Sequence, residues 1–177
     1  MRIVLAITGA SGIIYGLRLA QALKGHELFV IVSKGAREVA RYEGVKIPKF
    51  GKEFDESDLS APIASGSYKF DGMIVAPCSM KTLAGIAHGY SDNLVVRAAD
   101  VAIKERRKLV LVPRETPLSP IHLENMLKLS RIGVDILPAC PGFYHNPKKV
   151  GDLVDFVVGK ALDRLGIENE LFKRWGK

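Results

Sequence analysis

Arg2-Ile3-Val4-Leu5-Ala6-Ile7-Thr8-Gly9-Ala10-Ser11-Gly12 stands at the start of the chain, and its reading decides the architecture. The apolar run from Ile3 to Ile7 is short and lacks polar alternation, as in a strand buried on both faces. Small residues then make a tight turn into a helix, with Gly16 one turn further on. Such a turn lets backbone N–H groups and the Ser11 hydroxyl approach an anion at a helix N-terminus, although it also suits a tight strand-to-helix turn without ligand. Four later runs repeat the apolar pattern: Glu27 to Ser33, Gly72 to Ala76, Lys108 to Pro113 and Val134 to Pro138. Amphipathic stretches separate them. The alternation predicts an α/β fold, a doubly wound parallel sheet with helices on both faces, in a single domain over 1–177.

Working outward, the clearest helix is the last, where Val150, Leu153, Val154, Val157, Val158, Ala161, Leu162 and Leu165 recur at helical spacing. Another starts after Ser119, an N-cap candidate, with Pro120 at its first position. Residues 44–69 mix Pro48, Gly51, Pro62 and Gly66 with Ser and Asp and read as a long irregular loop, a lid or a subunit contact. A tail of about 166–177 follows the last helix. In a doubly wound sheet the ligand crevice lies beyond the carboxyl ends of the strands, where their order reverses.

Lysine and arginine outnumber aspartate and glutamate by 26 to 19, a net charge of +7. That balance admits nucleic acid, anionic membrane or phosphorylated small ligands. The densest basic run, Lys104-Glu105-Arg106-Arg107-Lys108, has no aromatic interleaving, so nucleic acid is not the expected partner. No apolar run is long enough to span a bilayer. Met1 to Thr8 reads directly into a strand, which leaves no room for a secretory leader and predicts a cytoplasmic protein. Cys78 and Cys140 show no metal-ligand spacing with the histidines, and no metal is expected.

The polar motifs fall at strand ends. Pro77-Cys78-Ser79-Met80-Lys81-Thr82 follows the third run and can offer hydroxyls and free N–H groups to a phosphate, while Ser79 also suits a plain N-cap. Cys78 has no base beside it and reads as a buried thiol. Arg97, Asp100 and Lys104 share one helix face, which an Asp100–Lys104 pair on a solvated surface would also explain. Arg114-Glu115-Thr116-Pro117 places a fork of donors beside a carboxylate, whether as a site or as a surface ion pair. Pro141-Gly142-Phe143-Tyr144-His145 sets an aromatic hydroxyl after the last strand. A nicotinamide-dependent reductase shares the first turn, but the second strand ends at Ser33-Lys34 and not at the acidic residue that would hold a ribose.

Taken in order, Thr8 to Gly12, Pro77 to Gly89, Arg97 to Val101, Lys104 to Arg107, Arg114 to Ser119 and Pro141 to His145 resemble the UbiX-type flavin prenyltransferases almost end to end. The resemblance implies a Rossmann-like, flavodoxin-type flavoprotein. Its activity would be metal-independent transfer of a dimethylallyl group from dimethylallyl monophosphate to reduced FMN, the co-substrate. The product, prenylated FMN, would serve a UbiD-type decarboxylase, in pathways such as ubiquinone biosynthesis. It further implies a large homo-oligomer, a dodecamer, with sites shared between subunits and neither nucleic acid nor membrane as partner. Carried over by position, Gly9, Ala10, Ser11, Ser33, Ser79, Met80, Lys81, Thr82 and Arg114 would hold FMN, with Arg97 nearby. Lys104, Tyr144 and Lys160 would bind the allylic phosphate, and Trp175 would help enclose the site. Glu115, Glu43, Ser11 and Lys104 would be catalytic, Glu115 exchanging the proton at the departing phosphate and Glu43 lying near the flavin. The family often has Arg where this chain has Lys160, so the charge stays and the bidentate fork is lost. Flavin-dependent cysteine decarboxylases share the fold, but this chain lacks their Asn-rich motif and their Met-Asn substrate clamp. A flavin-dependent decarboxylase of an aromatic or cysteinyl acid, or a non-catalytic FMN carrier, are the rival readings.

Overall fold

The computed structural model describes residues 1–176. In it Ile3 to Ile7 have no solvent exposure, because their strand lies inside a sheet with helices on either side. The strands are β1 (Arg2–Ile7), β2 (Glu27–Val32), β3 (Lys52–Phe54), β4 (Gly72–Cys78), β5 (Lys108–Pro113) and β6 (Asp135–Ile136). All pairings are parallel and the order is β3-β2-β1-β4-β5-β6. Without the edge strand β3 this is the flavodoxin-type order, and it reverses between β1 and β4.

The helices are α1 (Ile13–Ala22), α2 (Lys34–Tyr42), α3 (Met80–His88), α4 (Leu94–Lys104), α5 (Pro120–Arg131) and α6 (Val150–Leu165). Alternate residues of β1 feed two cores. Ile3, Leu5 and Ile7 pack with α1, α2 and α6, while Val4 and Ala6 pack with α3, α4 and α5. Helix α1 lies close to the sheet because Gly16 has no side chain: a Cβ there would come within 2.5 Å of the Ala76 carbonyl oxygen.

Two sequence expectations need correction. The segment 44–69 is not wholly irregular, since Lys52, Glu53 and Phe54 pair with Phe29, Val30 and Ile31 as β3, and Pro62–Ala64 forms a 3₁₀ turn. A three-residue edge strand carrying two charged side chains leaves no apolar run to detect. The fifth apolar run shrinks to the two residues of β6. Ser119 caps α5 as expected, its hydroxyl accepting from the His122 N–H while the His122 ring accepts from the Ser119 N–H.

Candidate functional site

Backbone chemistry at the carboxyl edge of the sheet sets up the site. Helices α2, α3 and α4 all begin there, capped by Ser33, Ser79 and Asn93, whose side chains accept from Ala36, Thr82 and Val96 N–H respectively. Each helix start carries N–H groups that its own turns cannot satisfy, together with the positive end of its dipole. Beside them opens a cavity of about 880 Å³, bounded by Thr8, Gly9, Ser33, Gly35, Ser79 to Thr82, Asn93 and Glu115 among others. It lies at the strand-order reversal, and its volume is within the range of ligand sites.

The donors are unevenly committed. The Glu56 carboxylate accepts from Lys34 N–H at 2.7 Å, and its carbonyl accepts from Leu94 N–H at 2.7 Å, so one residue occupies the starts of α2 and α4. At α3 the Ser79 hydroxyl serves Thr82 alone, at 3.3 Å to its N–H and 3.0 Å to its Oγ1. Met80 and Lys81 N–H have no acceptor among the described residues. These two groups make the α3 start the open anion position. The first turn differs from expectation here, because the Glu43 carboxylate accepts from Gly12 N–H at 2.6 Å and from Ile13 N–H at 3.1 Å. The α1 start is already neutralised by the chain's own carboxylate, so it is not where an external anion would sit. Gly9 borders the cavity and must also be small for a neighbour, since a Cβ on it would lie 3.1 Å from the Gly35 backbone.

Ser11 is exposed, Ala10 is buried, and the Arg114 Nε donates to the Ser11 carbonyl at 3.2 Å. Arg114 therefore braces the first turn and forms no ion pair with Glu115 among the described residues, contrary to the fork-and-carboxylate reading. Glu115 accepts instead from Thr116 N–H at 2.9 Å, its carboxylate open to the cavity. Burial pushes the Cys78 thiol up, and with no exposure it is inert, as its sequence context suggested.

Arg97 and Lys104 do not reach this cavity. Arg97 pairs with Asp100 at 2.8 Å and donates to the Ala64 carbonyl at 2.9 Å, while Lys104 pairs with Glu105, so the Asp100–Lys104 pair does not form. Lys104 ends α4, ten residues after Leu94, and so lies about 15 Å away along the helix axis. It sits over the Ser65-Gly66-Ser67 turn, where a Cβ on Gly66 would come within 2.5 Å of its Nζ. Arg107 donates to the Gly66 and Tyr68 carbonyls of that same turn. Together these cations form a ridge at the far end of α4.

The remaining expected residues gather around α6. The tail after Gly166 doubles back along this helix, with Phe172 against Phe156 at 4.8 Å between rings and Trp175 against Tyr144 at 5.2 Å. Arg174 clasps Asp163, and Asn169 adds a bond to the same carboxylate at 3.0 Å. Trp175 is 80% exposed and Tyr144 about half exposed, and Lys160 is exposed instead of lying at the edge of the buried stripe. Lys177 lies outside the described residues.

The clasp is sensitive to pH. Hydrogen bonds from Arg174 hold the Asp163 carboxyl below its ordinary 3.8, against the opposing effect of partial burial. A depressed carboxylate stabilises the fold above its unfolded value, and that contribution is lost as pH falls through the lower folded value. Because Trp175 is the chain's sole tryptophan, its fluorescence should shift on acidification below 3.8. Asp163→Asn should show the shifted signal already at neutral pH. An unchanged spectrum in that variant would show that the clasp does not hold the tail.

Sequence reasoning missed Thr8, Glu56 and Asn93 as parts of the site. Asn93 could have been found, as an N-cap residue before the apolar run Leu94-Val95-Val96. Nothing local announces Glu56.

Residues 1–162 match the Flavoprotein family. The flavin prenyltransferase UbiX of Methanocaldococcus jannaschii is 52% identical over 182 residues, covering 99% of both chains. That of Methanothermobacter thermautotrophicus is 55% identical over 180 residues, covering 98% of this chain and 94% of its own. A dodecameric FMN-dependent UbiX-like decarboxylase from Escherichia coli O157:H7 superposes with a TM-score of 0.95 at 47% identity, covering the whole of both chains. AnUbiX (PadA1), solved in complex with FMN and dimethylallyl pyrophosphate, gives 0.95 at 44% identity, over 99% of this chain and 97% of its own. The peptidyl-cysteine decarboxylase EpiD, at 19% identity and a TM-score of 0.62, shares the fold. The chain belongs to the Flavoprotein family, among the UbiX-type flavin prenyltransferases.

Proposed function

We propose that the protein transfers a dimethylallyl group from dimethylallyl monophosphate to reduced FMN without a metal, and that prenylated FMN then passes to a UbiD-type decarboxylase. The observation that carries this reading is the cavity at the strand reversal with two free N–H groups at the α3 start. The cavity has the volume for a flavin, and the open helix start has the donors for its phosphate. Gly9, Ala10, Ser11, Ser33, Ser79, Met80, Lys81, Thr82 and Arg114 would hold FMN, as N–H and hydroxyl donors or as the turn that shapes the cavity. When bound, reduced FMN supplies the nucleophilic ring that accepts the dimethylallyl group.

The protein's own task is the leaving group. As the allylic carbon–oxygen bond breaks, phosphate departs with the bonding electrons, and cations must neutralise the charge that grows on its oxygens. Lys104, Lys160 and the Tyr144 hydroxyl are assigned to that phosphate, Arg97 to the flavin side, and Trp175 to excluding water from the allylic carbon. Glu115, open to the cavity, exchanges the proton. Lys104 is too far from the cavity of its own chain, and Arg97 is held away from it by Asp100 and the Ala64 carbonyl, so in this reading they serve a neighbouring copy. The dodecameric relative supports such an assembly. Two free cysteines and the absence of any helix long and apolar enough to cross a membrane among the described residues support a cytoplasmic location.

Solved relatives described as decarboxylases favour a second reading, a flavin-dependent decarboxylase. One experiment separates the two. On incubation with reduced FMN and dimethylallyl monophosphate, the flavin mass should rise by one dimethylallyl group. Flavin recovered unchanged from protein that binds FMN would sink the transfer reaction.

A further inference from the structure

Thr8 directly follows β1, is 1% exposed, and appears in none of the roles assigned above. A buried hydroxyl needs partners, and this one uses both of its capacities at a single junction. Its Oγ1 donates to the Pro77 carbonyl at 2.8 Å and accepts from the Ser79 N–H at 2.8 Å. The Thr8 N–H also donates to the Pro77 carbonyl, at 3.2 Å. One side chain thus ties the carboxyl end of β1 to the turn between β4 and α3.

We infer that Thr8 is a positioning residue for flavin binding, acting through Ser79 on the open N–H groups of Met80 and Lys81. The inference rests on the FMN site described above. By accepting from Ser79 N–H, the Thr8 hydroxyl fixes the peptide from which the Ser79 side chain swings back to cap Thr82. That cap consumes the Thr82 N–H and leaves the two preceding groups directed outward at the helix start. Without the hydroxyl, the Pro77 carbonyl keeps the Thr8 N–H, but the Ser79 N–H loses the acceptor it has here, and the turn can regain one within the chain only by moving. The same movement would turn Met80 and Lys81 away from a bound phosphate. A hydrophobic residue of equal size keeps the packing and removes only this tie, so the role separates cleanly from core filling.

The test compares wild-type protein with Thr8→Val and Thr8→Ser, all stripped of flavin, by FMN titration and thermal melting. Thr8→Val should weaken FMN binding by about tenfold or more, from the cost of leaving the Ser79 N–H without its acceptor. Thr8→Ser, which restores both bonds, should bind within about twofold of wild type, since only a methyl group is lost. The KM for dimethylallyl monophosphate at saturating FMN should stay unchanged in both, because the hydroxyl touches neither the allylic substrate nor its cations.

Wild-type FMN affinity in a folded Thr8→Val protein would overturn the inference, as would equal weakening in the Ser variant, which would make the methyl group responsible. A wild-type protein that takes up no FMN would overturn the site reading, and the inference with it. Should Thr8→Val not fold, amide exchange in the wild type decides. The Ser79 amide should be protected without flavin, and Met80 and Lys81 should gain protection only when FMN is added. Fast exchange at Ser79 in the flavin-free protein would show that Thr8 does not hold it.

Discussion

Glu115→Gln is expected to leave FMN affinity and thermal stability unchanged while slowing single-turnover prenyl transfer by about 10² to 10⁴-fold, the usual contribution of a general acid–base group. The structure makes this substitution unusually clean. Glu115 forms no ion pair with its neighbour Arg114, whose guanidinium is committed to the Ser11 carbonyl. The one described bond to its carboxylate comes from Thr116 N–H at 2.9 Å, and a glutamine oxygen can accept that bond equally well. Neither the fold nor the brace on the first turn depends on its charge. What the amide lacks is a proton that can be exchanged as the phosphate departs and the flavin ring recovers its aromaticity. A variant that turns over at the wild-type rate would remove Glu115 from the chemistry and leave it as a polar rim residue.

The strands that were legible in the sequence are those buried on both faces, because burial forces continuous apolar runs such as Ile3 to Ile7 and Leu109 to Val112. The edge strand β3 was not legible: half-buried and charged, it is a strand only because β2 offers it a partner. The N-cap residues Ser33 and Ser79 could be read as site residues for the same reason that they cap, since small hydroxyl side chains at strand ends recur where helix starts face a ligand. Glu43 shows the limit of that reasoning. Its bonds to Gly12 and Ile13 N–H span about thirty residues, and no spacing rule links a carboxylate after α2 to the turn before α1. A sequence shows that the first turn can take an anion. It does not show that the chain already supplies one.

Lys104 poses the same problem between molecules, and its test should give the other large effect. The helix-face reading correctly placed Arg97, Asp100 and Lys104 along α4, yet it could not say which copy's phosphate they meet. The axial rise of α4 carries Lys104 away from the cavity bounded by its own chain's Glu115 and toward the Ser65-Gly66-Ser67 turn. Lys104→Met should therefore reduce prenyl transfer by roughly 10² to 10³-fold, as loss of one donor to a developing anion does. FMN binding, proposed above to use the α3 start, should persist. When Lys104→Met and Glu115→Gln chains are co-expressed in equal amounts, each variant supplies what the other lacks, but only if one site draws on two copies. Random assembly then gives about a quarter of the sites an intact Glu115 and an intact Lys104, and activity should recover to about that fraction of wild type. If both residues served a site within one chain, no mixed oligomer would contain a complete site, and the mixture would be no more active than the average of its parents. That result would sink the assignment of Lys104 to a neighbouring copy's phosphate, whereas a Lys104→Met protein as active as wild type would confine Lys104 to its ion pair with Glu105.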